Sequence, residues 1–261
     1  DFPSIGLANH AICVVNYRDK QYYLDATDPY CKFGNPSSQI QNCEILIVDD
    51  LLPKFEKVNF LTPKENRDLS VYYINLLDSD KNTFSRSLKG KSMNAFISAN
   101  NDRDHYLSQL NDASVFQYNK MKFIDKDSFF LVQALPNLTA ENYVKYENNI
   151  MVTKDILFDF SFLNIDSTLD YYPLYQTFYK AQKIVINVGK PVELIKTYDY
   201  SFNEGSIEYN IQATCKNEEI ILNESLIINQ VSLEKNDLLR LRKLLAILAK
   251  QKEGYLLIKY K

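Results

Sequence analysis

The chain has no tryptophan, only 6 glycines in 261 residues, 4 cysteines and 2 histidines. Each scarcity removes a class of function. With so few glycines, none in a GxGxxG or GxxxxGK[ST] arrangement, there is no glycine-rich phosphate cradle and no support for nucleotide binding. Four cysteines at positions 13, 31, 43 and 215 are too sparse for a disulfide scaffold, and none forms a CxxC pair. His10 and His105 are far apart, so no local zinc signature exists, and neither metal nor cofactor is expected. Lys and Arg never cluster densely, and the net charge is −3, which argues against a nucleic-acid partner. The longest apolar runs fall far short of the roughly 20 residues a membrane-crossing helix needs, so no transmembrane segment is expected.

What is present is ordinary globular composition, 46% hydrophobic and 24% charged, in a length that suits two units. The start, Asp1-Phe2-Pro3-Ser4, shows neither Met nor a signal peptide and reads as an excised or processed fragment. The segment Asn9 to Val15 alternates, passes through a polar turn at 16–20, and resumes as Gln21-Tyr22-Tyr23-Leu24-Asp25, which predicts a hairpin. Strand alternation would set His10, Ile12 and Val14 on one side and Cys13 on the other. Residues 26–38 are rich in turn formers and predict a loop; Glu44 to Val48 predicts a strand. Pro53 to Pro63 and the charged run after it predict a boundary, giving units 1–63 and 64–261.

Beyond it, strand-forming runs recur at 69–77, 94–98, 128–133, 156–162, 183–188, 192–200, 206–213 and 219–228. Their repetition predicts a mainly β (α+β overall) chain whose second unit is an antiparallel, sandwich-like domain. A short helix is predicted over 102–110. A long one is predicted over about 234–252, where Leu238, Leu241, Leu245 and Leu248 form one stripe suited to covering a sheet, and a last strand over 255–261.

The stretch from Asn9-His10-Ala11-Ile12 through Leu24-Asp25-Ala26-Thr27-Asp28-Pro29 resembles the transglutaminase-like superfamily of papain-related folds. That resemblance implies a Cys-His-Asp site with His10 and Asp25 in the histidine and acid positions, Asp28 being the runner-up acid. A carboxylate bonded to the imidazole would fix its tautomer, and the histidine could then serve a thiolate that attacks an amide carbonyl of a protein or peptide substrate. The family's nucleophilic cysteine precedes the histidine at a helix start, and residues 1–9 hold none. Cys31 and Cys43 follow the histidine and are expected to be structural. The chain is therefore expected to be the C-terminal part of a longer bacterial transglutaminase-like or cysteine-peptidase-like protein, inactive alone. The resemblance extends weakly to an appended β-rich domain of unknown function and implies an exported, periplasmic or cell-envelope location. The alternative is a non-catalytic envelope binding or scaffolding module, whose recognition patch would come from Tyr171, Tyr172, Tyr175, Phe178 and Tyr179.

Overall fold

A computed structural model of the chain describes residues 10–28, 31, 33–37, 39–48, 53–90, 92–93, 96–97, 107–108, 116–126, 129–138, 143–146, 149–153, 168–174, 176–195, 198–252 and 255–261. The chain is mainly β, as the alternation predicts. Two short antiparallel ladders come first: β1 (Cys13–Tyr17) with β2 (Lys20–Leu24), and β3 (Glu44–Ile47) with β4 (Lys54–Lys57). The stretch beginning at Pro53 thus contributes a strand before it becomes a connection.

The β1–β2 turn is tighter than the polar run suggests, because Asn16 and Tyr17 pair with Gln21 and Lys20 and leave only Arg18 and Asp19 to turn the chain. Both carry positive φ, 49° and 59°, the backbone of a two-residue hairpin turn that favours Asn-Gly. Arg18→Asn with Asp19→Gly should therefore raise stability by about 0.5–1 kcal/mol. Urea unfolding of the pair against the parent protein measures it.

The centre of the molecule is an eight-stranded sheet. Its spatial order is β14 (Tyr198–Glu204), β15 (Ile207–Lys216), β16 (Glu219–Ile228), β12 (Phe178–Asn187), β5 (Arg67–Asn75), β6 (Thr83–Leu88), β8 (Phe130–Leu138) and β7 (Phe116–Asp125). All neighbours are antiparallel except β5 and β12, which pair in parallel, Arg67 opposite Tyr179 through Asn75 opposite Asn187. The purely antiparallel expectation is corrected there. Parallel neighbours need a long crossover rather than a hairpin, and here more than a hundred residues intervene.

A four-stranded sheet, β13 (Val192–Leu194), β18 (Tyr255–Tyr260), β10 (Asn149–Thr153) and β9 (Tyr143–Tyr146), packs over one end of that face. Ile150, Val152, Leu256 and Ile258 from this layer meet Ile74, Phe84, Ile184, Ile186 and Leu222 from the large one. Over the other end lies helix α1 (Lys235–Lys252). Its Leu238, Leu241, Leu244 and Leu248 are buried against Ile207, Tyr209, Leu226 and Ile228, with Leu245 half-buried at the margin. The leucine stripe covers a sheet, as its period implies. A fifth ladder, β11 (Tyr171–Pro173) with β17 (Ser232–Glu234), leads into the helix.

Between the two apolar clusters a polar row crosses the covered face. The register sets Glu224 beside Gln182, Gln182 beside Ser70 and Ser70 beside Arg86. Glu224, 3% exposed, accepts hydrogen bonds from Tyr209 Oη at 2.7 Å and Gln182 Nε2 at 2.6 Å. One row along, Asp68 takes a forked pair of bonds from Arg86, Nε to Oδ1 at 2.9 Å and Nη2 to Oδ2 at 2.7 Å. Burial works against the Asp68 charge, but Arg86 and then Lys180 outweigh it and hold the carboxyl below the usual aspartate range.

Three local expectations need correction. Phe96 and Ile97, inside a run expected to be a strand, are helical, and Phe96 packs beside Phe123 and Phe130. Short apolar runs do not distinguish strand from buried helix by period alone. The run 192–200 is divided between sheets, β13 joining the small sheet and β14 the edge of the large one. In the segment expected to be helical at 102–110, Leu107 and Ser108 are helical and the others lie outside the described residues, as do residues 156–162.

Candidate active site

The first hairpin carries the candidate residues at its open end. His10 does not belong to β1, which begins at Cys13, and Asp25 is the first residue past β2. Both therefore leave the ladder on the same side of the Cys13–Leu24 pair and converge. His10 Nε2 lies 2.8 Å from Asp25 Oδ2. The correction to the strand placement of His10 leaves the pairing with Asp25 in place.

The carboxylate is enclosed, its side chain 1% exposed against 20% for His10. Besides the imidazole it accepts from Ser37 Oγ at 2.6 Å on Oδ2, and from Thr27 N–H at 3.0 Å and Thr27 Oγ1 at 2.7 Å on Oδ1. Burial alone would raise the Asp25 pKa, but the bonds from Ser37, Thr27 and His10 dominate and hold the carboxyl well below the usual carboxylate range. An ionised carboxylate only accepts, so Nε2 must carry the hydrogen in the bond to Asp25. Nδ1 is then the nitrogen left to meet a reacting group.

Ser37 and Thr27 went unpredicted as parts of the site. Thr27 had a signal, since an aspartate followed two residues later by a backbone N–H donor is an Asx turn. Ser37 comes from the loop, and its delivery depends on several fastenings. Phe33 stacks on Tyr22 of β2 with ring centres 5.2 Å apart, and Gly34, at φ +86°, sits where an added Cβ would meet Cδ1 of that Tyr22 ring at 3.5 Å. Ser37 is 1% exposed and its carbonyl accepts from the Ile40 N–H. Gln41 then ties the loop outward, its Nε2 donating to the Pro36 carbonyl and its Oε1 accepting from the Leu61 N–H.

Asp28, the runner-up acid, turns its carbonyl to the Cys31 N–H, and it is Asp25 that meets His10. The Cys31 thiol donates to the Asn35 carbonyl at 3.1 Å and the Cys43 thiol to the Gln39 carbonyl at 3.3 Å. Cys13 and Cys43 are exposed, while burial pushes the half-buried Cys215 thiol up. Among the described residues no cysteine bonds His10. Of the tyrosine-rich segment proposed as a recognition patch, Tyr171 is 56% exposed, but Tyr172 and Phe178 pack against the helix cluster. Tyr175 lies outside the described residues. Among the described residues no group of three or more His, Cys, Asp or Glu could hold a metal ion, and no helix is long and apolar enough to cross a membrane.

Asp25→Asn tests the electrostatics. A depressed folded-state pKa means the charge stabilises the fold above the unfolded value of about 3.9, and that this contribution is lost as pH falls through the folded value. The expected result is a variant destabilised by about 1–3 kcal/mol at neutral pH, with less further loss below about pH 4 than the parent shows. Urea midpoints across that range measure both.

Compared with protein-family models, curated proteins and solved structures, the chain finds no match.

Proposed function

We propose that this chain carries the histidine and acid of a transglutaminase-like cysteine enzyme acting on amide bonds of protein or peptide substrates. The observation that carries the reading is the 2.8 Å bond from His10 Nε2 to a carboxylate that is itself buried and held by Ser37 and Thr27. That arrangement fixes the ring and its tautomer and turns Nδ1 to a reacting group, which is what a thiolate partner requires. The thiolate adds to the amide carbonyl, the histidine gives its proton to the departing amine, and an acyl-enzyme remains. Water then releases an acid; an amine releases a new amide.

None of the four cysteines is bonded to His10 among the described residues, so the proposal takes the nucleophile from sequence preceding Asp1. The chain by itself is inactive in this reading. An exported, periplasmic or envelope location belongs to the same proposal and rests on the resemblance to multidomain proteins that carry an appended β-rich domain.

The test uses the protein with its native upstream sequence, an iodoacetamide probe at neutral pH and a glutaminyl peptide. The expected result is one upstream cysteine labelled faster than Cys13 and Cys43. His10→Ala should slow that labelling and lower amide turnover by about 10²–10⁴-fold. An upstream sequence without cysteine, or labelling indifferent to His10→Ala, overturns the proposal.

A further inference from the structure

The face of the large sheet turned away from α1 and the small sheet holds a groove of about 410 Å³ that the hairpin site does not use. Its shape follows from the register. One row across the strands reads Gln212, Asn223, Lys183 and Val71. The next reads Asn210, Ser225, Ala181 and Leu69, and the one after it contains Ile227 and Tyr179. Small side chains at Ser225 and Ala181 thus make a floor between two taller rows. The trough runs across the strands, and four strands at about 4.8 Å spacing give it a length of about 14 Å.

The chemistry is as selective as the shape. The backbone of these interior strands is already paired on both sides, so a bound chain cannot add itself as another strand and must be recognised by side chains. The polar side chains on this face are the carboxamides of Asn210, Gln212 and Asn223 and the Ser225 hydroxyl, each able to donate and accept, with one ring at Tyr179 and one cation at Lys183, while Ser70, Gln182 and Glu224, which also line the groove, belong by alternation to the covered face. Among the described residues, the Asn210, Asn223, Ser225 and Lys183 side chains are not engaged by a protein hydrogen bond or ion pair, and the Gln212 amide gives one bond to Asp199 at 3.3 Å. Asn210, Gln212 and Asn223 are exposed. A peptide would need its amides matched in a fixed alternation, whereas a row of neutral donor-acceptor groups beside an aromatic ring matches the vicinal hydroxyls and apolar ring face of a sugar.

We infer that this cross-strand trough binds a neutral oligosaccharide, with Asn210, Gln212, Asn223 and Ser225 bonding hydroxyls and Tyr179 covering a ring face. The site is independent of the His10–Asp25 proposal, and either can fail alone.

The experiment is titration of the isotopically labelled chain with two probes, a tetramer of N-acetylglucosamine and cellotetraose, read by amide shifts. The expected result is saturable shifts for at least one probe, confined to β12, β15, β16 and β5. Asn223→Ala should weaken binding about tenfold, the loss of one to two hydrogen bonds. Ala181→Leu, which fills the floor without touching the core, should abolish binding while the amide spectrum keeps its folded dispersion. Absence of saturable shifts with both sugars at millimolar concentration overturns the inference. Shifts that map elsewhere overturn it too, as does Ala181→Leu binding like the parent, or an unrelated tetrapeptide competing for the same amides.

Discussion

Leu241→Ala is expected to lower the free energy of unfolding by about 2–5 kcal/mol, among the largest single-residue losses in the protein. Leu241 is fully buried in the cluster that α1 makes with β15 and β16, among Leu238, Leu244, Tyr209 and Leu226. Truncation removes transferred apolar surface and leaves a cavity whose walls are strands locked into an eight-stranded ladder, which collapse poorly. Leu239, two positions earlier and 53% exposed, provides the control. Its change to Ala removes little buried contact and favours the helix, so the effect should stay within about 0.5 kcal/mol. Urea unfolding followed by circular dichroism measures both. Equal effects would mean that the helix is not anchored by its stripe.

The same helix shows what could be read from the residues and what could not. Its period and its role as a cover for a sheet follow from leucine spacing, because a local pattern repeats every turn. Several of the strand runs were legible for the same reason, β16 matching its expected 219–228. Sheet membership was not, since nothing local distinguishes β13 from β14 or tells Arg67–Asn75 that its parallel neighbour is Tyr179–Asn187. In the candidate site, His10 and Asp25 were legible as the two ends of a short hairpin, where sequence proximity implies spatial proximity. Ser37 was not, because its approach depends on Phe33 stacking and Gly34 turning, which are tertiary events inside an irregular loop. The polar row did leave a trace. In Ile220, Leu222, Glu224, Leu226 and Ile228 a glutamate occupies the apolar phase, and that conflict marks a buried carboxylate with partners.

Asp68→Ala should destabilise the protein by about 3 kcal/mol, the low end for breaking a buried ion pair. The low end applies because the Arg86 side chain keeps 24% of its exposure, so water can partly replace the lost carboxylate. What remains is a guanidinium lying 5.5 Å from the Phe96 ring centre that has lost its forked carboxylate partner. Losing two charge-assisted bonds at once makes the loss larger than that of one neutral hydrogen bond. Replacing both partners, Asp68→Leu with Arg86→Met, should recover most of it, because the desolvation cost of two charges disappears along with their attraction. The pair would then be a device that fixes the alignment of β5 with β6 more than a source of stability. Acid unfolding separates the contributions. Asp68, like Asp25, has a folded pKa held below its unfolded value, so its charge stabilises the fold above about pH 3.9 and ceases to do so as pH falls through the folded value. The double variant should therefore lose less stability on acidification than the parent while matching it within about 1–2 kcal/mol at neutral pH. A double variant as unstable as Asp68→Ala would instead show that the ion pair itself, and not the avoidance of a stranded charge, holds this part of the sheet together.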